Sequence, residues 1–368
     1  MLRPARPGLD IPALTLCLAM AFSAIPAAAG EFEDATQAYA RKDYAKAIGA
    51  FRKMASAGDA AAQFQLGTVY VKGKGVKQSY PDAVKWFRQA ANQGHAEAQN
   101  SLGVRYEKGQ GVAQDYQEAA AWYRKAALQG FALAQVNLSD LYVKGLGVSQ
   151  DDVSAYVWLS LAGANGEAAA TRKRARLEPG ITGEKLGEAQ YRLGAAYAIG
   201  QGVGQDHRQA VQWFLKAATR GHALAQYQLG ASYDKGTGVA QDYKRAAAWF
   251  EKAAVQGHAR AQSAIGYMYD IGQGVKADSL HAIDWYEKAA AQGDVAAQYN
   301  LGSMHETGRG VPQNDLQAYK WFSIAEAHSD KTGKAAAESR TRLEARMTQE
   351  QAAEGLRLAR EWLRTHSR

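Results

Sequence analysis

Cysteine is almost absent from the chain: Cys17 is the only one in 368 residues. It lies inside an apolar run at 11–22 and follows Leu16, where a bacterial lipoprotein signal requires a small residue. A single cysteine excludes an internal disulfide and a cysteine metal cluster. The fold must therefore be held together by packing and hydrogen bonds alone.

Long hydrophobic runs are equally scarce. The run at 11–22 is shorter than the roughly 20 apolar residues that span a bilayer. It follows the basic residues Arg3 and Arg6 and precedes three alanines at 27–29, an order typical of a secretory signal peptide. We expect residues 1–29 to be cleaved. This predicts a periplasmic or secreted protein whose mature chain has no transmembrane segment and no thiolate nucleophile.

Clustered charge and catalytic motifs are also missing. The net charge is +8, from 44 basic and 36 acidic side chains, but the basic excess is spread along the chain with acids interleaved, as in Glu251-Lys252. Such interleaving is typical of a solvated surface, whereas nucleic acid is bound by a clustered basic face. No H-x-x-x-H or H-x-H pair is present for a metal, and no Gly-x-Ser-x-Gly motif for a nucleophile. We therefore expect no nucleic-acid partner, metal, cofactor or catalytic residue.

What the chain has in abundance is repetition. The motif Gly-x-Gly-Val begins at Gly73, Gly109, Gly145, Gly200, Gly236, Gly272 and Gly308. The interval is 36 residues everywhere except from Gly145 to Gly200, where it is 55. A fixed period of this size predicts a solenoid of stacked helical pairs. Because no phosphate-binding context follows the glycines, we interpret them as turns.

Each period fits two helices, here named helix A and helix B. In the unit at 98–130, small and apolar residues recur at helical spacing on both sides of the glycine turn, and Asp115 is placed to cap helix B. His95, His222 and His258 directly precede helix A, where Asp59 and Asp294 stand in other units, which indicates a helix-start role. They lie a full period apart, too far to share a metal.

Three further positions of the unit are almost invariant. One position of helix B is tryptophan in seven units: Trp86, Trp122, Trp158, Trp213, Trp249, Trp285 and Trp321. We interpret this row as packing between helix B and its neighbours. A tyrosine recurs in helix A, and a glycine follows the helix A leucine or isoleucine, with Ser139 as the one substitution. This glycine predicts a close approach of the two helices.

The long interval divides the chain. It holds one period plus 19 residues, and its text TRKRARLEPGITGEKLGEAQ resembles the chain end RTRLEARMTQEQAAEGLRLAREW. Two arrays with similar endings are therefore predicted to be joined head to tail. The expected organisation is a first array with an N-terminal cap at 30–163, an inserted cap-like segment or hinge at 164–188, a second array at 189–325 and a C-terminal helical cap at 326–368.

The repeated text is AxxWYxKAAxQGxxxAQxxLGxxYxxGxGVxxD, and one copy of it ends at Asp278. It resembles the Sel-1-like repeat, a relative of the tetratricopeptide repeat. The resemblance implies an all-α, right-handed α-solenoid that acts as a scaffold or adaptor for other proteins. Exported bacterial members are similar in serving the cell envelope. One branch with paired cysteines is linked to penicillin binding and β-lactamase activity, and this chain lacks those cysteines.

The resemblance also implies that helix A residues facing away from helix B line a concave binding surface. One row lies two residues before each helix A leucine equivalent, a second row lies one turn further on, and a lysine row lies near the helix end. Aromatic rings would provide contact area and ammonium groups would bind acidic side chains. The candidate partner-binding residues are Phe64, Asn100, Tyr191, Tyr227, Tyr267, Tyr299, Lys72, Lys108, Lys144 and Lys235.

The sequence thus predicts a monomeric, non-catalytic scaffold of the bacterial cell envelope that binds a protein or peptide along its concave surface. Two alternatives stay open at this point. One is a peptidoglycan or polysaccharide binder that uses exposed tyrosines. The other is an enzyme like those of the penicillin-binding branch.

Overall fold

The computed structural model describes residues 26–328 and 330–366, with side chains from Gly30 onward. In these residues the regular structure consists of 19 α-helices and one 3-10 helix, without a strand, which confirms the predicted all-α fold. None of the described helices combines the length and apolar character needed to cross a membrane. The predicted signal peptide lies almost entirely outside the described residues.

The chain divides into two compact units, and the boundary falls between Asp206 and His207. The helices of the first unit are α1 Pro26–Ala40, α2 Tyr44–Ser56, α3 Ala60–Lys72, α4 Tyr80–Asn92, α5 Ala96–Lys108, α6 Tyr116–Leu128, α7 Ala132–Lys144, α8 Asp152–Ala164, α9 Ala168–Leu177, a 3-10 helix Glu178–Gly180 and α10 Gly183–Ile199. Those of the second unit are α11 His207–Thr219, α12 Ala223–Lys235, α13 Tyr243–Val255, α14 Ala259–Ile271, α15 Ser279–Ala290, α16 Val295–Thr307, α17 Asp315–Glu326, α18 Lys331–Glu344 and α19 Gln349–His366.

Glycine ends helix A and permits the turn to helix B. Gly109 follows α5 with φ +62°, and Gly111 has φ +77°. A Cβ on Gly111 would lie 2.4 Å from the backbone of Tyr80 in the preceding repeat. Helix B then starts at a capping aspartate, as Asp115 accepts a hydrogen bond from the N–H of Glu118 at 3.0 Å. The glycine motif is therefore a turn and a cap, as predicted.

The two helices of a repeat approach closely at the glycine that follows the helix A leucine. A Cβ on Gly103 would lie 2.7 Å from the ring of Tyr123 in α6. The same glycine and helix B aromatic meet in other repeats: Gly67 with Phe87, Gly230 with Phe250, Gly266 with Tyr286 and Gly302 with Phe322. Where Ser139 replaces the glycine, Leu159 stands at the aromatic position. The predicted close approach is confirmed.

The tryptophans pack between repeats, also as predicted. Trp122 of α6 is buried in one core cluster with Leu102 of its own repeat and Phe87 of the preceding repeat. Trp86 packs in the same way on the cluster that contains Phe51 and Leu66. The indole faces that remain accessible are covered by lysine, as Lys125 Nζ lies 3.7 Å from the ring centroid of Trp122.

Each unit contains a closing module of similar construction. In the first unit, α9 and α10 pack on α8, and in the second, α18 and α19 pack on α17. The Tyr156 hydroxyl donates a hydrogen bond to Glu178 at 3.5 Å, and the guanidinium of Arg174 lies 5.8 Å from the centroid of the Tyr156 ring. The second module repeats this arrangement with Tyr319, Glu344 and Arg340. The two segments that resemble each other in sequence therefore also share their packing and contacts.

Candidate functional site

The helix A residues that face away from helix B form a continuous surface in the first unit, which we call the inner face. It consists of residues spaced four apart on three parallel helices: Phe64, Thr68 and Lys72 on α3, Asn100, Val104 and Lys108 on α5, and Val136, Asp140 and Lys144 on α7. Adjacent helices are joined by a hydrogen bond from Asn137 Nδ2 to Asn100 Oδ1 at 3.0 Å. Spacing of four residues keeps each set on one helix face.

Phe64 is held in place by two rings. Its ring lies 5.8 Å from Phe87 of its own repeat and stacks at 4.9 Å on His95 of the next. Nδ1 of His95 also accepts the N–H of Ala98, so one histidine caps α5 and fixes the neighbouring aromatic ring. This confirms the predicted helix-start role of the histidine. Phe64 remains half-buried, with part of its surface on the inner face.

Two predicted contact residues of the second unit are not accessible. Tyr227 is only 3% exposed, because its ring lies 5.7 Å from Phe250 and stacks at 4.6 Å on His258. Tyr299 is 7% exposed and is buried in a cluster with Ala336 of α18. The expectation that these two rings line an open groove is wrong, because the next repeat covers one and the closing module covers the other.

The closing module also covers part of the inner face in the first unit. Val136 packs beside Ala170 of α9. Lys173 of α9 binds the carboxylate of Asp140 with Nζ–O distances of 2.6 and 2.7 Å. The inner face is therefore accessible mainly on α3 and α5, together with the end of α7.

The four lysines of the predicted row, Lys72, Lys108, Lys144 and Lys235, are all exposed. In the described part of the chain none of them takes part in an ion pair. Three of them lie at the ends of α3, α5 and α7 in the first unit, and the half-buried Phe64 and Asn100 lie two helical turns before Lys72 and Lys108. Tyr191 and Tyr267 are half-buried, and burial raises the pKa of the Tyr191 phenol.

Sequence reasoning missed a buried charge in the second unit. The side chain of Asp270 in α14 is fully buried, and its Oδ1 accepts a hydrogen bond from Arg309 at 2.6 Å. Burial raises the pKa of the Asp270 carboxyl, and the arginine opposes the shift. The same position of helix A is also acidic at Glu107, Asp234 and Glu306. This recurrence was the signal in the sequence that could have identified the position. Among the described residues no group of three acidic, histidine or cysteine side chains is placed to hold a metal ion.

The capping histidines give the fold a predicted pH dependence. Burial lowers the pKa of His258, whose Nδ1 accepts the N–H of Ala261 at 3.1 Å, and the Arg260 charge adds to this shift. A lowered pKa in the folded state means that the stabilisation is complete above the unfolded value of about 6.5 and is lost as the pH falls below it. Protonation also removes the acceptor that caps the helix.

We therefore expect His258→Asp, which copies the caps at Asp59 and Asp294, to weaken this dependence. Urea unfolding at pH values from about 7 to about 5 measures it, because an unfolded histidine titrates in that range at about 6.5 and an unfolded aspartate titrates below it at about 3.9. The wild type should lose more unfolding free energy than the variant as the pH falls. Equal pH slopes for the two proteins would contradict the assignment of the pH effect to this cap.

The repeats match a known family over most of the chain. The family model described as Sel1 repeat matches residues 60–95, 96–131, 132–167, 187–222, 223–258, 259–294 and 295–330. The crystal structure of c5321, a protective antigen present in uropathogenic Escherichia coli strains displaying an SLR fold, is 30% identical over 92% of this chain and 84% of its own, with a TM-score of 0.40. A Sel1 repeat protein from Oxalobacter formigenes is 30% identical over 70% of this chain and 96% of its own, with a TM-score of 0.36. No curated protein matches the chain.

Proposed function

The chain belongs to the Sel1 repeat family, and from this premise we propose that it is a non-catalytic scaffold of the bacterial cell envelope that binds an acidic protein segment on its inner face. Sel1 repeat proteins are generally protein-interaction scaffolds, and the fold is typically non-catalytic. The periplasmic or secreted location is part of the proposal and rests on the signal sequence at 1–29.

One observation supports the inner face above other surfaces. Lys72, Lys108 and Lys144 form an exposed row of one charge at the same position of three A helices, and none of them takes part in an ion pair among the described residues. Two helical turns from this row on α3 and α5, Phe64 and Asn100 offer apolar area and an amide. Such a surface favours a segment that alternates apolar and acidic side chains, since charge sets orientation and association rate while apolar area sets affinity.

The proposal predicts that reversing the charge of the lysine row weakens partner binding. The triple variant Lys72→Glu, Lys108→Glu and Lys144→Glu should lower affinity at least about tenfold, because each rim charge that becomes repulsive adds to the loss. Since the three side chains are exposed, we expect the fold to be unchanged. The measurement is crosslinking in the native cell envelope, followed by quantification of each protein captured by the wild type and by the variant.

Lys85 on the outer helix α4 provides the matched control, because it is also exposed and takes part in no ion pair among the described residues. The variant Lys85→Glu should capture the same protein as the wild type. A partner retained by the triple variant, or lost equally with Lys85→Glu, would reject the inner face as the binding surface.

A further inference from the structure

Buried glutamines link successive helices through a repeated hydrogen-bond pattern. In α5, Gln99 Nε2 donates to the carbonyl of Ala91 at 3.0 Å, and its Oε1 accepts from Gln129 Nε2 at 2.8 Å. The same two bonds recur at Gln63, Gln226 and Gln262, each with an amide thirty residues further on. In these repeats both ends of a buried amide are satisfied, as buried polar groups generally require.

The last glutamine of the series departs from this pattern. Gln298 in α16 is 1% exposed, and its Oε1 has no hydrogen-bond partner. Thirty residues further on stands His328 in place of the amide. Next to Gln298 lies a cavity of about 680 Å³ lined by Ala291, Gln292, Gly293, Gln298, His328, Trp362, Leu363, Thr365 and His366. The Gln298 side-chain oxygen is thus buried, lacks a hydrogen-bond donor, and borders an open cavity.

The first closing module contains the equivalent site, and there the chain itself fills it. The segment after α10 places buried Gly202 against the end of α6. The N–H of Gly202 donates to the carbonyl of Leu128 at 3.0 Å. Its own carbonyl accepts from Gln135 Nε2 at 2.6 Å and from Asn165 Nδ2 at 2.8 Å. One glycine peptide therefore satisfies a carbonyl and two side-chain amides.

The residues of the two sites correspond one to one. The ends of helices α6 and α15 match at Leu128 and Ala291, and the buried amides match at Gln135 and Gln298. Asn165 and His328 follow the last helix B of each module at the same place. Both sites are bordered by the carboxyl end of the helix that closes the module, α10 or α19. The terminal cavity is thus lined by residues at the positions that elsewhere hold a backbone segment.

Glycine is specifically suited to this site. Gly202 has φ +73°, a left-handed conformation that other residues rarely adopt. A Cβ at this position would also lie 3.1 Å from the carbonyl oxygen of Ala127. At the terminal site part of the cavity wall is formed by Trp362, whose ring stacks on His366 at 4.2 Å. This wall offers apolar area to a residue next to the glycine.

We propose that the terminal cavity binds a glycine turn of a partner polypeptide, of the form Gly-x-Gly followed by an apolar residue. The N–H of the second glycine donates to the carbonyl of Ala291, and its carbonyl accepts from Gln298 Nε2, as the carbonyl of Gly202 accepts from Gln135 Nε2. In the bound state the ring N–H of His328 donates to Gln298 Oε1, the oxygen that lacks a partner, as Asn165 Nδ2 donates to Gln135 Oε1. The inference rests on the proposed scaffold function and adds a second contact surface with a different chemistry. Unlike the lysine row, the cavity recognises backbone, so its binding depends little on salt.

The test uses a fluorescein-labelled peptide with the sequence of residues 198–205, Ala-Ile-Gly-Gln-Gly-Val-Gly-Gln, and the full-length protein. Fluorescence anisotropy should show saturable binding. The same peptide with Gly202→Val should not bind, because the added side chain meets the carbonyl wall. Gln298→Leu should weaken binding about tenfold, since it removes one uncharged hydrogen-bond donor from the site. His328→Asn, which copies Asn165, should bind at least as tightly as the wild type.

Several results would overturn the proposal. They are no binding of the glycine peptide, equal binding of the valine control, and displacement of the peptide by a cell-wall disaccharide. Self-association of the protein that is lost in Gln298→Leu would assign the cavity to a second copy of the chain. The triple lysine variant should bind the peptide normally, so a failure of this proposal is distinguishable from a failure of the inner face.

Discussion

Replacing Arg309 by methionine should lower the unfolding free energy of the second unit by about 3 kcal/mol, since removing one partner of a buried ion pair leaves a charge without compensation. The Asp270 side chain is fully buried and its Oδ2 already has no hydrogen-bond partner. The arginine is 31% exposed, which places the expected loss at the lower end for such pairs. Urea unfolding followed by circular dichroism measures it.

The pH dependence of this loss follows from the carboxyl group. Burial already raises the pKa of Asp270, and the variant lacks the guanidinium that opposes the rise. The penalty is therefore largest near neutral pH and shrinks as the pH falls, because the protonated carboxyl has no charge to desolvate. A loss that grows on acidification would contradict this explanation.

The first unit supplies a matched control for the ion pair. The positions equivalent to Asp270 and Arg309 are there Val71 and Gln110, an uncharged pair. The double variant Asp270→Val and Arg309→Gln should recover most of the stability, to within about 1 kcal/mol of the wild type, because both charges are removed together. If the double variant is as unstable as Arg309→Met, the loss comes from packing and the buried charge is not its cause.

Gly230→Ser should have the second largest effect, a loss of about 2–3 kcal/mol from overpacking. A Cβ there would lie 2.7 Å from the Phe250 ring, inside the distance that two carbon atoms tolerate. The ring is 2% exposed and has no free space to move into. Thermal and urea unfolding of the variant measure the loss.

The chain itself suggests the compensating change. Where Ser139 stands in place of the glycine, helix B carries Leu159 and not an aromatic ring. Adding Phe250→Leu to Gly230→Ser should therefore restore stability, with a coupling energy of at least about 1 kcal/mol in a double-mutant cycle. Additive effects of the two substitutions would show that the serine does not clash with the ring.

Much of the fold could be predicted because its determinants are local. The glycine turns, the capping Asp115 and the capping His95 each act within a few residues of their own position, so the repeated text contains them directly. The close contact at Gly103 was also predictable, since its partner Tyr123 lies in the next helix of the same repeat. A register repeated in every unit predicts such contacts well.

The candidate site was harder to predict, because accessibility depends on elements distant in sequence. The exposed lysine row follows from the register alone. In contrast, Tyr299 is buried by α18 and Asp140 is paired with Lys173 of α9, and both helices belong to closing modules that do not follow the repeat. The Asp270–Arg309 pair joins different repeats. Treating every helix A as equivalent therefore overestimated how many residues are accessible on the concave surface.

The proposed binding of a partner on the inner face is tested most directly by site-specific photocrosslinking in living cells. A photoreactive phenylalanine analogue is placed at Val104 on the inner face or, as control, at Lys85 on the outer helix α4. The account predicts a discrete crosslinked protein with the probe at Val104 that is absent with the probe at Lys85 and absent after reversal of the lysine row. The same crosslink from both positions, or none at Val104, would contradict it.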